Sequence, residues 1–181
     1  MKHAAFTLLE LLVVITIIMV LVGFLVVDFN QARRFQELDL TVQQSLALME
    51  QSRASVDSGR VEGETYLCLG GYFEVGEVPQ LVQMDFDLVT ESCDTDTSQE
   101  SSYGIIQGSA VVKTINLDQI HSQIWAMFVP PEANLVFYNS SGQSYVGDAS
   151  IEIVHTGDED LAHVLNFSVT TNQVTLAADE E

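Results

Sequence analysis

Few side chains in this chain of 181 residues are of types and spacings that do chemistry. Glu10 sits in an apolar run, and Leu11 to Val27 follow it without a charge or a proline. A carboxylate in hydrocarbon costs a few kcal/mol unless it lies at the interface or meets a partner, so such an acid is a functional-site candidate. Cys68 and Cys93 are the only cysteines and could close a bridge. Asp94, Asp96 and Glu100, interleaved with Thr95 and Thr97, place oxygen ligands at alternate positions, as a calcium loop would. His155 and His163 flank Gly157-Asp158-Glu159-Asp160, where a metal site can be drawn.

Most of these weaken on inspection. The Asp94–Glu100 run lacks the glycine and spacing of an EF-hand. It reads as a solvated acidic loop, so no cofactor is expected, with calcium at Asp94 and Asp96 as the alternative. One hairpin bearing His155 and His163 reads as surface decoration, and His121 is isolated. Neither cysteine belongs to a CxxC motif, which leaves redox catalysis and zinc binding little support. No G-x-S-x-G, Walker A, H-E-x-x-H or glycine-rich dinucleotide fingerprint is present. Nothing places a nucleophile beside a base, so the chain is not expected to be an enzyme. Function therefore turns on Glu10 and the element that carries it.

That element is Phe6 to Phe29, FTLLELLVVITIIMVLVGFLVVDF. At about 1.5 Å per residue it reaches about 36 Å, enough to cross a hydrocarbon core of about 30 Å. A helix is the only single-segment way to satisfy every backbone amide in lipid. On the helix alone, Glu10 either lies within the membrane or remains among the headgroups with the helix starting after it. The stretch before it is Met1-Lys2-His3-Ala4-Ala5, short and basic, and then comes Phe6-Thr7-Leu8-Leu9-Glu10.

This arrangement resembles the class III signal of type IV pilins and pseudopilins. The resemblance implies that a membrane peptidase cuts between Ala5 and Phe6 on the cytoplasmic side and methylates the new amino terminus at Phe6. It also implies that Glu10 meets the positive amino terminus of a neighbouring subunit. A buried carboxylate becomes tolerable when a cation neutralises it. Two features depart from the family pattern: the residue before the cut is Ala5 rather than glycine, and no helix-kinking proline occurs before Pro79. The implied partners are other pilin or pseudopilin subunits, the prepilin peptidase and an inner-membrane assembly platform. The implied location is a single-pass membrane protein with its globular domain outside the cytoplasm, then a pilus or pseudopilus. An ordinary secretory signal would need a small-x-small site after the apolar run. DFNQARRFQE offers none, so the helix is kept. Arg33 and Arg34 after the helix oppose the positive-inside tendency, and the leader resemblance decides the orientation.

The formal net charge is −20. Beyond residue 58 the only Lys or Arg residues are Arg60 and Lys113, so no direct nucleic acid binding is expected. The acidic excess itself reads as solubility. Cys68 and Cys93 would lie outside the membrane, where disulfides persist. A bridge is favoured, and two unpaired buried thiols are the alternative.

Helical periodicity continues beyond the apolar run. Phe35, Leu38, Val42, Ser45 or Leu46, Met49 and Val56 keep a spacing near 3.6 residues. Arg33, Gln36, Glu37, Gln43, Gln44, Glu50 and Gln51 occupy the opposite face. Asp57-Ser58-Gly59 ends the helix, with Gly59 as a C-terminal stop. The period then changes to two. Strands are expected over Thr65–Leu69 and Tyr72–Val75, with Gly70-Gly71 as a tight turn between them. Further strands are expected at Leu81–Leu88, Ile105-Ile106, Ala110–Ile115, Ile124–Val129, Leu135–Tyr138, Ser150–His155, Val164–Val169 and Val174–Leu176. Glu91–Ser102 reads as an exposed loop, Asn139–Gly142 as a turn, and Trp125, Phe128, Phe137 and Tyr138 as core.

The chain thus divides into a leader at 1–5, a transmembrane and filament-core helix at 6–30, an amphipathic helix at 31–57, and a β-rich extracytoplasmic domain at 58–181. The expected class is α+β, a long N-terminal membrane-spanning helix packed on an antiparallel β-sandwich-like domain. The order of elements over roughly residues 134 to 176 is similar to the GspH/FimT group of minor pseudopilins and minor pilins. That resemblance implies a structural subunit of a type IV pilus or type II secretion pseudopilus. The alternative is a solitary signal-anchored extracytoplasmic binding domain, an adhesin or a sensor.

Overall fold

The computed structural model describes residues 8–59, 61–62, 65–94, 106, 108–145 and 147–177. Helix α1 runs unbroken from Leu8 to Asp57, 50 residues with no proline, about 75 Å at about 1.5 Å per residue. It stops at Gly59, whose φ of 69° a side chain would disfavour. The Ser58 and Gly59 N–H groups return to the Ala54 and Val56 carbonyls at 3.0 and 2.9 Å.

The two halves of α1 present different surfaces. From Leu8 to Phe24 every residue is exposed, and most are Leu, Ile, Val, Met or Phe. Such a surface is stable in lipid or against other apolar helices, not in water. Beyond it, Leu38, Val42, Ser45, Met49, Ser52 and Val56 are buried. Their alternate steps of four and three draw one stripe along the helix. The Thr41, Ser45 and Ser52 hydroxyls in that stripe donate to carbonyls four residues back at 2.8–2.9 Å, so burial leaves none of them unsatisfied. Phe35, expected in the stripe, is 47% exposed, because burial begins only at Leu38.

The β-domain is antiparallel throughout its paired strands: β1 (Val61–Glu62), β2 (Thr65–Glu74), β3 (Gln80–Asp87), β4 (Ser92–Cys93), β5 (Ala110–Leu117), β6 (Gln119–Ile120), β7 (Gln123–Val129), β8 (Asn134–Tyr138), β9 (Ser144–Tyr145), β10 (Ala149–His155), β11 (Asp158–Ser168) and β12 (Gln173–Leu176). One sheet has the order β4-β3-β2-β7-β8-β9, with β1 on β2, and the other the order β12-β11-β10-β5-β6. Their inner faces and the helical stripe share one core: Phe73, Phe128 and Phe137 from the first sheet, Ile115, Ile151 and Phe167 from the second, and Leu38, Val42 and Met49 from α1. The fold is therefore α+β, a long helix packed on two antiparallel sheets.

The first sheet is apolar on its outer face as well. Met84, Phe86, Met127, Val129 and Tyr138 cluster there around Cys68 and Cys93. With both faces covered, β7 reads as a nearly continuous apolar run instead of alternating. Cys68 and Cys93 form a disulfide across 25 positions and tie β4 back to β2. Closing a loop of that size stabilises the fold by about 3 kcal/mol on chain-entropy grounds.

Several expectations are corrected. Gly70-Gly71 is not a turn but the middle of β2, which runs through to Glu74. A Cβ on Gly70 would overlap the Ala126 carbonyl oxygen on β7 and lie 2.7 Å from the Met127 Cα. The glycine serves close strand approach, not reversal. Leu88 lies in the exposed turn after β3. In the expected Glu91–Ser102 loop, Ser92 and Cys93 pair with Asp87 and Phe86, and Cys93 is buried; residues 95–102 lie outside the described residues. Ile106 is buried but belongs to no strand, and Ile105 lies outside the described residues.

Candidate functional site

Glu10 occupies the first turn of α1 and is exposed on the apolar half of the helix. Ala5 and Phe6 lie outside the described residues. Among the described residues, α1 is the one helix long and apolar enough to cross a membrane.

The β-domain meets α1 first at a polar cluster just beyond that apolar half. His155 ends β10 and is 6% exposed. Its Nδ1 accepts the Gly157 N–H at 2.9 Å, which puts the ring proton on Nε2. Nε2 then donates to Glu37 Oε2 at 3.3 Å. The other oxygen, Glu37 Oε1, accepts from Arg33 Nε at 2.8 Å, one helical turn away. Arg34 Nη1 donates to the Gly157 carbonyl at 3.2 Å and stands 3.7 Å from Asp158 Oδ2.

The His155 and Arg33 contacts, in that order, hold the Glu37 carboxyl below its ordinary value, with the Ser109 hydroxyl adding to them. The Arg33 side chain is 69% exposed and that of Arg34 45%, so each pair contributes little alone. Together they set how the β10–β11 turn sits on the helix. The arrangement positions; it holds no nucleophile and no open ligand set.

Sequence reasoning placed Glu37 on the solvent face and His155 on the surface. The structure brings them together over 118 positions because Glu37 lies at the edge of the stripe and His155 closes its strand against α1. The Arg33–Glu37 pair is local, four residues apart on one helix, whereas the histidine's partner needed the fold. The structure does not bring His155 and His163 into one site: His163 stands opposite Ile153, while His155 stands opposite Asp158. β10 and β11 form the expected hairpin, and Asp158–Asp160 begins β11. His121 packs edge-on to Tyr145 at 5.2 Å. Asp94 follows β4, its N–H bonded to the Asp85 carbonyl at 2.8 Å, and Asp96 lies outside the described residues. Among the described residues no three His, Cys, Asp or Glu side chains converge as metal ligands would. Phe128, Phe137 and Tyr138 are core, and Trp125 is half-buried against Tyr72 at 5.1 Å.

Residues 1–26 match a family model described as the prokaryotic N-terminal methylation motif. No curated protein and no solved structure matches the chain. The motif supports a prepilin-processed protein of the type IV pilin-like kind, and with the exposed apolar helix it supports a membrane anchor.

Proposed function

We propose that this chain is a structural subunit, a minor pilin or pseudopilin, of a type IV pilus or type II secretion pseudopilus. Prepilin peptidase cuts between Ala5 and Phe6, the Phe6 amino group is methylated, and the domain stands outside the cytoplasm. The assembly platform then draws the helix from the bilayer into a bundle of other pilin or pseudopilin subunits. There Glu10 exchanges lipid for the amino terminus of a neighbour, since a carboxylate in an apolar bundle needs a cation. The role is mechanical rather than catalytic and uses no cofactor. The carrying observation is the N-terminal methylation motif continuous with a helix whose residues from Leu8 to Phe24 are exposed and mostly apolar. The two-sheet domain on the second half supports the narrower GspH/FimT reading.

Two measurements test this reading. Mass spectrometry of the mature chain should find an N-terminus at methylated Phe6. Glu10→Ala should insert in membranes as the parent does but be absent from sheared filaments, with incorporation down at least about tenfold, as expected for loss of a charge pair in an apolar setting. A mature chain that still begins at Met1, or normal incorporation of Glu10→Ala, would refute it and favour a solitary anchored binding domain.

A further inference from the structure

The two ends of the β-domain are told apart by their neighbours on α1. At one end His155 and Asp158 meet Glu37 and Arg34. At the other, Gln173 and Thr175 lie beside Glu50 and Arg53, about 20 Å further along the helix at about 1.5 Å per residue. β10 begins at Ala149 and reaches the first end at His155, so Ala149, with Leu117 and Phe167, lies towards the far one. This far end is the one turned away from the membrane anchor.

A hollow of about 790 Å³ opens there on the outer face of the five-stranded sheet. The strand register builds its floor. Asn116 stands opposite Ser150, Ser150 opposite Asn166, and Asn166 opposite Thr175. These four side chains form one row across four adjacent strands, about 14 Å long at about 4.8 Å per strand. Their inward neighbours Ile115, Leu117, Ile151, Leu165 and Phe167 are all buried, so the row cannot turn over without exposing the core. Among the described residues, none of the four row side chains is hydrogen-bonded to another part of the chain. The floor is therefore a fixed array of uncommitted amides and hydroxyls, each able to donate and accept.

The rim narrows the ligand. It carries Asp118 and Asp148 and, among the described residues, no Lys or Arg. Asp148 is held in place by the Val169 N–H on its Oδ1 at 2.9 Å. Ile120 is 83% exposed beside the row and offers an apolar contact. Polyanions are excluded by the rim and by the net charge of −20. An apolar ligand would leave the amides unpaired. An extended chain of hydroxyls with intervening C–H faces satisfies both the row and Ile120.

We propose that the hollow binds an uncharged polysaccharide segment at least about three sugars long, matching the row of about 14 Å. The proposal goes beyond filament assembly and does not depend on it: a chain that binds glycan but never assembles leaves it standing.

The test applies the full-length chain in detergent micelles to a printed array of uncharged, sialylated or sulfated, and free-amine oligosaccharides. Dense display makes weak contacts readable through multivalency. Retention is expected on uncharged oligosaccharides alone. Asn116→Ala with Asn166→Ala should weaken it about tenfold, as loss of two hydrogen bonds predicts, with the unfolding midpoint unchanged because both positions are exposed. Three results would each overturn the proposal: no uncharged oligosaccharide retained, equal retention of the double variant, or retention on free-amine oligosaccharides only, which would make the acidic field the cause.

Discussion

Phe167 is where the two sheets lock together. It points inward from β11, 1% exposed, with its ring edge-on to Phe73 of β2 at 5.5 Å and to Phe137 of β8 at 5.9 Å. Both ring neighbours belong to the opposite sheet. Removing a buried aromatic ring costs about 3–5 kcal/mol, the spread reflecting how far the surroundings collapse. Here collapse would require the sheets to approach each other, and Ile151, Leu165 and Phe128 of the same core hold them apart. Phe167→Ala should therefore cost about 4–5 kcal/mol. The two edge contacts, about 0.5–1.5 kcal/mol each, are included in that figure. Phe167→Leu retains most of the volume and should cost about 1–2 kcal/mol. The assay is a urea titration of the full chain in micelles, followed by the fluorescence of Trp125 on the seven-stranded sheet. Because the sheets share one core, a probe on one should report damage to the other in a single transition. A cost below about 2 kcal/mol for Phe167→Ala, or equal costs for the two variants, would show that the ring does not bridge the sheets. Phe167 also sits between Asn166 and Ser168, which line the hollow, so Phe167→Ala should blur glycan binding where Asn166→Ala removes a contact.

Two further predictions concern the junction with the helix and the strand pairing. The Glu37 carboxyl is depressed in the folded chain by His155, Arg33 and Ser109, so its contribution is complete above the ordinary value of 4.5 and is lost as pH falls below that through the depressed value. Melting temperature measured from pH 6 down to pH 3 should fall more steeply for the parent than for Glu37→Gln, and superimposable acid limbs would refute the junction as drawn. Gly70→Ala should cost about 3 kcal/mol, the upper part of the overpacking range, because its new methyl meets β7 backbone. Gly71→Ala should cost less, since it meets the Phe73 ring and the Met49 sulfur, which can shift. Urea midpoints in the reverse order would count against the continuous β2.

The parts of the fold legible in the sequence are those governed by local period. The apolar run, the stripe from Leu38 to Val56 and the Gly59 stop depend on neighbours within a few residues, and the helix follows them. Strand positions were legible for the same reason, to within a residue or two at β3, β7, β8 and β10. What escaped depends on what lies across a strand. Gly70-Gly71 carries the same local signal whether it turns the chain or admits a neighbouring backbone, and only β7 decides. His155 looked like decoration because its partner is on α1. The Asn116–Ser150–Asn166–Thr175 row draws on four strands and has no signature along the chain. Phe35 misled in the opposite sense: the period extends to it, but the β-domain does not.

The anchor and the domain are mechanically one piece, and this follows from what α1 lacks. With no proline from Leu8 to Asp57, no backbone bond is removed and no kink is introduced. The buried stripe and the Arg33–Glu37–His155 contacts fix the roll of the second half of α1 against the sheets. The unbroken helix carries that roll to Glu10. In a bundle of such helices, as proposed, a carboxylate can reach a neighbouring amino terminus only at certain rotations. An unbroken helix makes the rotation of the outer domain a consequence of that pairing. The polar row then faces a direction set by the filament, at the end furthest from the anchor. A hinge between anchor and domain would free the row to search for ligand but would sever this link. The sequence contains neither the glycine cluster nor the proline that such a hinge needs between Phe24 and Leu38.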